Sequence, residues 1–257
     1  MNTRALRLLV SLLLLQPIAN AARAQTADDV VEKHLAALGG RDALGKITSR
    51  KNTGTVSVTI AAGVIPGVVE AYAKAPNKSR VYMKLDLSGL GAGEVTTDQR
   101  FDGTAGFGMN SMSGDAEITG NQLENMRSNA FPSSLLRYKE AGAKLEVLPK
   151  EKVGDRDAIV LLLTPKTGSP VRMYLDAETY LIAQTIVKVN APQMGGDIEQ
   201  KVQFTDYRPV DGVMVPFHVA NTTPAQTLTI TLTKVEQNIA LDDAMFAKRQ
   251  APGPLTP

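Results

Sequence analysis

Two histidines, His34 and His218, are all the imidazole this 257-residue chain offers, and it has no Cys. A catalytic triad needs a histidine oriented by an acid beside a nucleophile. His34 falls on the apolar stripe of a helix-like segment and His218 follows Phe217 in a strand-like one, so a structural role is the better reading of both. Without Cys there is no thiolate metal site, and no His-Glu-x-x-His or clustered His/Asp pattern points to a zinc or iron site. Asp242-Asp243 could bind calcium, but adjacent acids ahead of a helical turn read better as a cap. Asp155 and Asp157 flank Arg156 beside Gly154, as in a solvated hairpin. Gly103, Gly106 and Gly108 have G-x-x-G-x-G spacing and no following Lys-Ser/Thr, which is no phosphate cradle. Nothing singles out a carboxylate pair for glycoside chemistry. Arg80 and Arg208 are isolated between strand-like segments and read as surface ion pairs or as anion or headgroup contacts, with Arg80 the candidate for the latter. The chemistry that remains is non-covalent, and no cofactor is implied.

Composition narrows the partners. With 28 Lys+Arg against 26 Asp+Glu, the net charge of +2 gives no electrostatic case for nucleic acid. Aromatic residues are 5% and Trp is absent, so base-stacking and sugar-stacking platforms are poorly supported. A lipidated N-terminal Cys and a disulfide framework are both excluded.

Arg4 and Arg7, the apolar run Leu8 to Leu15 interrupted by Ser11, and Ala22-Arg23-Ala24 have the three-part layout of a secretory signal peptide over residues 1–24. The run is too short for a bilayer span of about 20 residues. Cleavage after Ala24 leaves 233 residues and removes three arginines and no acid, so the exported chain carries −1. Cleavage after Ala21 would retain Arg23 and give export equally.

Thr26 is placed to cap a helix with Asp28 and Asp29 in its first turn. Val30, Val31, His34, Leu35 and Leu38 form its stripe, Gly39-Gly40 end it, and a short turn over 41–47 follows. From Thr53 the period becomes 2, in Val56, Val58 and Ile60, then in Val81, Met83, Leu85 and Leu87. Val95 to Phe101 leads through the hairpin signal Asp102-Gly103 to Phe107 and Met109. The interval 111–141 is polar, with Thr119 as a cap and Leu123 and Met126 at helical spacing, and reads as a loop carrying one or two short helices. Strands resume over 144–148, 158–164, 171–176, 181–189, 199–207, 213–220 and 227–236. About ten short strands with alternating faces predict a mainly β domain over 25–250, an incomplete antiparallel barrel lidded by helices, followed by a disordered Pro-rich tail over 251–257.

The positive functional signal is spread over the apolar faces. A half-wrapped sheet has more concave surface than a thin helical layer fills, so a ligand cavity is expected. Its candidate lining comes from Val56, Val58, Val81, Met83 and Leu85 in the first strands, then from Phe101, Phe107 and Met109. Leu123 and Met126 add the mid-chain helix, and Met173, Leu175, Phe204, Phe217, Leu228 and Ile230 the later strands. Methionine suits an adaptable lipid pocket and is equally ordinary core filler. Each buried methylene of an acyl chain contributes roughly 0.8 kcal/mol, so a long chain needs little polar recognition.

Several short stretches resemble the LolA/LolB-like family of bacterial lipoprotein carriers. They are Ala75-Pro76-Asn77-Lys78-Ser79-Arg80, Val95 to Phe107 with Phe101-Asp102-Gly103, and Leu241-Asp242-Asp243-Ala244-Met245-Phe246 after Val235-Glu236-Gln237-Asn238, with Ala251-Pro252-Gly253. Tyr174 to Leu181 and Phe204 to Phe217, with Asp211-Gly212-Val213 and Pro216, are similar to a broader set of exported LolA-like proteins. Ala75 stands where the family has Arg, and the family's Trp residues are missing. The resemblance implies an unclosed barrel with an acyl-accepting cavity. It also implies a periplasmic carrier that collects lipoprotein from an inner-membrane ABC transporter, passes it to an outer-membrane acceptor, and touches membranes transiently. The family's receptor is itself a lipoprotein, which the lack of Cys excludes here. A lipid or lipoprotein carrier is therefore the expected function. The alternatives are an interaction module with a filled core and, third, an exported hydrolase. N-terminal sequencing of the exported protein is expected to begin at Gln25; an N-terminus at Met1 would contradict the leader.

Overall fold

In the computed structural model, which describes residues 25–191 and 196–249, the capping expected at Thr26 takes the form of a box. The Thr26 hydroxyl accepts from the Asp29 amide at 3.2 Å, and the Asp29 carboxylate accepts from the Thr26 amide at 3.1 Å. Helix α1 (Ala27–Ala37) buries Val30, Val31, His34 and Leu35. It stops because Gly39 turns at φ +118°, and a Cβ there would lie 2.1 Å from the Gly212 carbonyl oxygen. The Leu38 carbonyl accepts from the Met214 amide at 2.9 Å, which ties the end of α1 to the sheet. Helix α2 (Arg41–Gly45) follows and buries Leu44.

The described strands form one antiparallel sheet of thirteen. A first meander runs β1 (Ser49–Ile60), β2 (Gly63–Lys74), β3 (Lys78–Asp86), β4 (Glu94–Phe101), β5 (Gly106–Asn110) and β6 (Gly114–Ile118). A second runs β7 (Lys144–Val153), β8 (Arg156–Thr164), β9 (Val171–Asp176), β10 (Ile182–Ala191), β11 (Gly196–Val210), β12 (Val213–Thr222) and β13 (Thr227–Gln237). Each strand pairs with its chain neighbour, and β1 with β13 joins the two meanders. In that join Val56 faces Ile230 and Val58 faces Leu228. The register shifts between Thr53 and Gly54, where a Cβ on Gly54 would lie 2.2 Å from the Thr231 carbonyl oxygen. The two edges, β6 and β7, do not pair, so the barrel is unclosed. The chain crosses between them through helix α3 (Gly120–Ser128) and turns over 129–143.

The mainly β, half-open architecture matches the sequence expectation, with two differences. Among the described residues there are thirteen strands rather than about ten. The unforeseen β2 contains Pro66 and Gly67, which demote a strand reading, and β6 lies inside the polar interval read as a loop. The proposed leader and tail, residues 1–24 and 251–257, lie outside the described residues. Among the described residues no helix is long and apolar enough to cross a membrane.

The main core forms where α1 and α2 cover one face of the second meander. Val30, Val31, Leu35 and Leu44 pack with Ile159, Leu161, Leu163, Met173, Leu175 and Val213. Each such side chain contributes about 1.5–3 kcal/mol by leaving water. Leu135 and Tyr138 of the crossing segment join the same cluster. Polar contacts hold this segment to the helices: Asp28 accepts from the Tyr138 hydroxyl and pairs with Lys139 at 2.6 Å, and Arg41 donates to the Leu136 carbonyl at 3.0 Å.

The first meander carries a buried ionic cluster. Asp98, 2% exposed, takes Arg80 at 2.8 Å and Arg100 at 2.7 Å. Burial raises its pKa, but the two guanidinium groups outweigh this and hold the carboxyl below its usual range. Removing one member of a buried pair leaves an uncompensated charge. Asp98→Ala is expected to lower unfolding free energy by about 3–5 kcal/mol in urea titrations; a loss under about 1 kcal/mol would show that the cluster is effectively solvated.

Candidate functional site

Leu38 at the end of α1, Leu44 of α2 and the inner strands of the second meander do not meet everywhere. Between them lies a cavity of about 470 Å³, within the range of small-ligand sites. The helices contribute His34, Leu38 and Leu44. The sheet contributes Leu163, Met173, Thr185, Val187, Phe204 and Tyr207. Asn125, Ser128, Asn129, Ser133 and Ser134 of the crossing segment form a polar margin, and Arg50 enters from β1.

Two polar side chains in this wall are already satisfied by backbone. His34 contacts the Tyr180 carbonyl through Nδ1 at 2.8 Å. A carbonyl only accepts, so Nδ1 carries the proton and Nε2 is the acceptor in the neutral ring. Burial lowers the His34 pKa, against a smaller upward effect of the Tyr180 hydrogen bond. The Tyr207 hydroxyl donates to the Ile182 carbonyl at 2.8 Å, and burial pushes its pKa well up. Arg50 differs: its Nε is buried without a hydrogen bond, and burial brings its pKa down to about 10.

A cleft of about 610 Å³ has more volume but a different character, being walled by Arg80, Asp98, Arg100 and Arg249 with Tyr82 and Met109. Asp98 occupies two of its arginines. Its charged walls do not suit an apolar ligand, so the 470 Å³ cavity is the candidate site.

Of the residues expected to line a lipid site, the structure brings Met173 and Phe204 into this cavity. Leu175 is fully buried in the cluster beside it. Phe107 and Met109 line a separate space of about 120 Å³ with Asp98 and Arg100. Phe101, Val56 and Val58 are buried elsewhere, and Phe217 packs with Val215, Leu232 and Ile230. Leu228 stands opposite Val58, while Val81, Met83 and Leu85 lie half-buried on β3. Met126 on α3 packs toward Gly106 and Leu123 is half-buried on the same helix; neither lines the cavity. Arg80 is engaged by Asp98 outside the cavity, which leaves the headgroup contact expected there without a place at this site. Asp242 caps a short helical turn by accepting from the Ala244 amide at 2.9 Å. His218 faces the Thr231 hydroxyl at 3.3 Å. Among the described residues no group of three or more His, Asp or Glu is gathered to hold a metal.

Sequence reasoning missed Arg50, Thr185, Val187 and Tyr207 as wall residues. Arg50 lies before the alternating run begins and carries no local signal. Val187 and Tyr207 were inside predicted strands, but which face points inward is set by sheet curvature.

No protein-family model matches the sequence, and no curated protein matches it significantly. Solved structures do share its fold. A domain from Vibrio parahaemolyticus assigned to outer membrane lipoprotein sorting superposes with TM-score 0.54 at 10% identity, covering 85% of this chain and 94% of its own. A LolA superfamily protein from Nitrosomonas europaea gives TM-score 0.55 at 12% identity, covering 87% and 98%. A DUF1329 family protein from Desulfovibrio piger gives 0.54 at 14%, with the same coverage. The fold is therefore the LolA-like one, an unclosed antiparallel barrel with a helical lid.

The buried His34 couples the lid to pH. Its folded pKa lies below the ordinary 6.5, so above pH 6.5 both folded and unfolded states hold it neutral and its contribution is complete. As pH falls below 6.5 the unfolded state takes up the proton first, and stability drops until the folded pKa is passed. Melting curves from pH 7.5 downward are expected to show this decline in the wild type and a shallower one in His34→Gln. Identical slopes would contradict it.

Proposed function

We propose that this chain is an exported, soluble carrier that holds a lipid, or an acyl chain of a lipoprotein, in the 470 Å³ cavity and releases it elsewhere. The observation that carries the reading is the cavity itself. Facing helices and strands normally interdigitate to near-crystalline density, yet here Leu38, Leu44, Met173, Val187 and Phe204 border open space. Such space loses packing contacts and is recovered when an apolar ligand fills it. This favours a carrier over a module with a filled core. The volume suits one chain or a small amphiphile better than several chains at once.

The location that fits is the periplasm, reached by cleavage of the leader over 1–24, with a mature net charge of −1. Lipoprotein sorting is stated for the Vibrio parahaemolyticus domain, and the shared fold supports a related role in lipid traffic here. An inner-membrane ABC transporter as donor, an outer-membrane acceptor and brief contact with membrane surfaces complete the reading. No covalent step is assigned: His34 is engaged with a backbone carbonyl and His218 with a threonine hydroxyl.

Native mass spectrometry of the mature protein, gently purified from its own host, is expected to show an adduct that organic extraction identifies as lipid. Val187→Trp, which puts an indole into the cavity, is expected to weaken acyl-probe binding about tenfold or more while retaining the wild-type circular dichroism spectrum. Unchanged probe binding by Val187→Trp, or wild-type protein that neither carries nor binds any lipid, would overturn the reading.

A further inference from the structure

Among the described residues one arginine borders the cavity with no acid paired to it. The described residues around the cavity include neither Asp nor Glu; the cation is Arg50. The half-buried Arg80 and Arg100, by contrast, are matched by Asp98. The strand neighbours of Arg50 are Gln237 on β13 and Ala73 on β2, both uncharged. Gln237 donates through Nε2 to the Val210 carbonyl at 2.9 Å, and its Oε1, like Arg50 Nε, is buried without a hydrogen bond. The guanidinium of Arg50 meets the ring of Phe131 instead, 5.3 Å from its centroid.

A cation–π contact offsets part of the desolvation of a guanidinium but leaves its forked N–H donors without oxygen acceptors. Arg50 as a whole is half-buried, but its Nε is buried without a hydrogen bond, so its charge is partly desolvated and unpaired. An oxyanion would pair with it in a bidentate, charge-assisted way that a neutral head cannot match. Asn129, Ser133 and Ser134, close to Phe131 in the chain, border the same space and supply uncharged donors around it. The rest of the wall is mostly apolar, with His34, Thr185, Gln200 and Tyr207 among its polar members. Burial lowers the Arg50 pKa only to about 10, so the group remains a cation at neutral pH.

We propose that Arg50 anchors an acidic amphiphile. Its anionic head, a carboxylate or a phosphate monoester, docks on the guanidinium, and its single acyl chain lies against Met173, Val187 and Phe204. This rests on the carrier reading and adds to it the charge of the cargo and the end by which it is held.

The test uses delipidated mature protein and displacement of a neutral fluorescent probe by palmitate, palmitoyl lysophosphatidate and hexadecanol. Wild type is expected to bind at least one of the two acids about 10- to 100-fold more tightly than the alcohol, and the tighter acid identifies the head. Arg50→Gln is expected to abolish that preference while keeping hexadecanol affinity, and Arg50→Lys to retain part of it. Ligand-free Arg50→Gln is expected to melt no lower than wild type, because an unpaired charge has been removed. A wild type without acid preference, an Arg50→Gln variant that keeps it, or a marked fall in melting temperature overturns the anchor and leaves the carrier reading standing. Failure of all three amphiphiles to displace the probe overturns both.

Discussion

The pairing of β1 with β13 is the constraint from which the rest of the structure follows. It joins the first strand of one meander to the last strand of the other, so two sheets that could exist side by side become one. Every other strand pair is between chain neighbours and is local in sequence, while this one must be closed across nearly the whole chain. Its register brings Val56 opposite Ile230 and Val58 opposite Leu228, and a one-residue slip would turn those side chains to the other face. Gly54 allows the Thr231 backbone to approach where the register shifts. Arg50 belongs to the same strand, so the closure that makes the sheet also carries the guanidinium to the cavity.

Once that joint is made, the edges β6 and β7 remain apart, and the crossing segment that spans them becomes part of the lid. Apolar burial holds the lid: α1 and α2 contribute Val30, Val31, Leu35 and Leu44, and the crossing segment contributes Leu135 and Tyr138. The polar links from Asp28 to Lys139 and from Arg41 to Glu32 are exposed and worth little each. Lifting the lid therefore works mainly against hydrophobic contacts.

Much of the fold was legible because it is local. The capping box at Thr26, the stop at Gly39, the Asp102-Gly103 hairpin and the period-2 runs each follow from a few adjacent residues. β2 was missed because Pro66 and Gly67 interrupt its pattern, and β6 because its Gly114–Ile118 segment is polar. The site was less legible. Alternation identifies the apolar face of a strand without saying whether that face meets helices, cavity or solvent. Met173 and Phe204 border the cavity, whereas Phe101 is core and Phe107 borders another space. For Arg80 the sequence left ion pair and anion contact both open, because its partner Asp98 is 18 residues away across a strand pair. Arg50 looked ordinary because its isolation is a property of what the fold leaves out around it.

The most direct test is where a bound chain lies. Protein labelled with ¹³C at its methionine methyls can be titrated with stearate bearing a nitroxide near the chain terminus. The account predicts selective, saturable broadening of the Met173 and Met214 methyl signals, both residues bordering the cavity, with Met109 and the exposed Met112 unaffected. Broadening centred on Met109 or Met112, or none at saturating ligand, would contradict it.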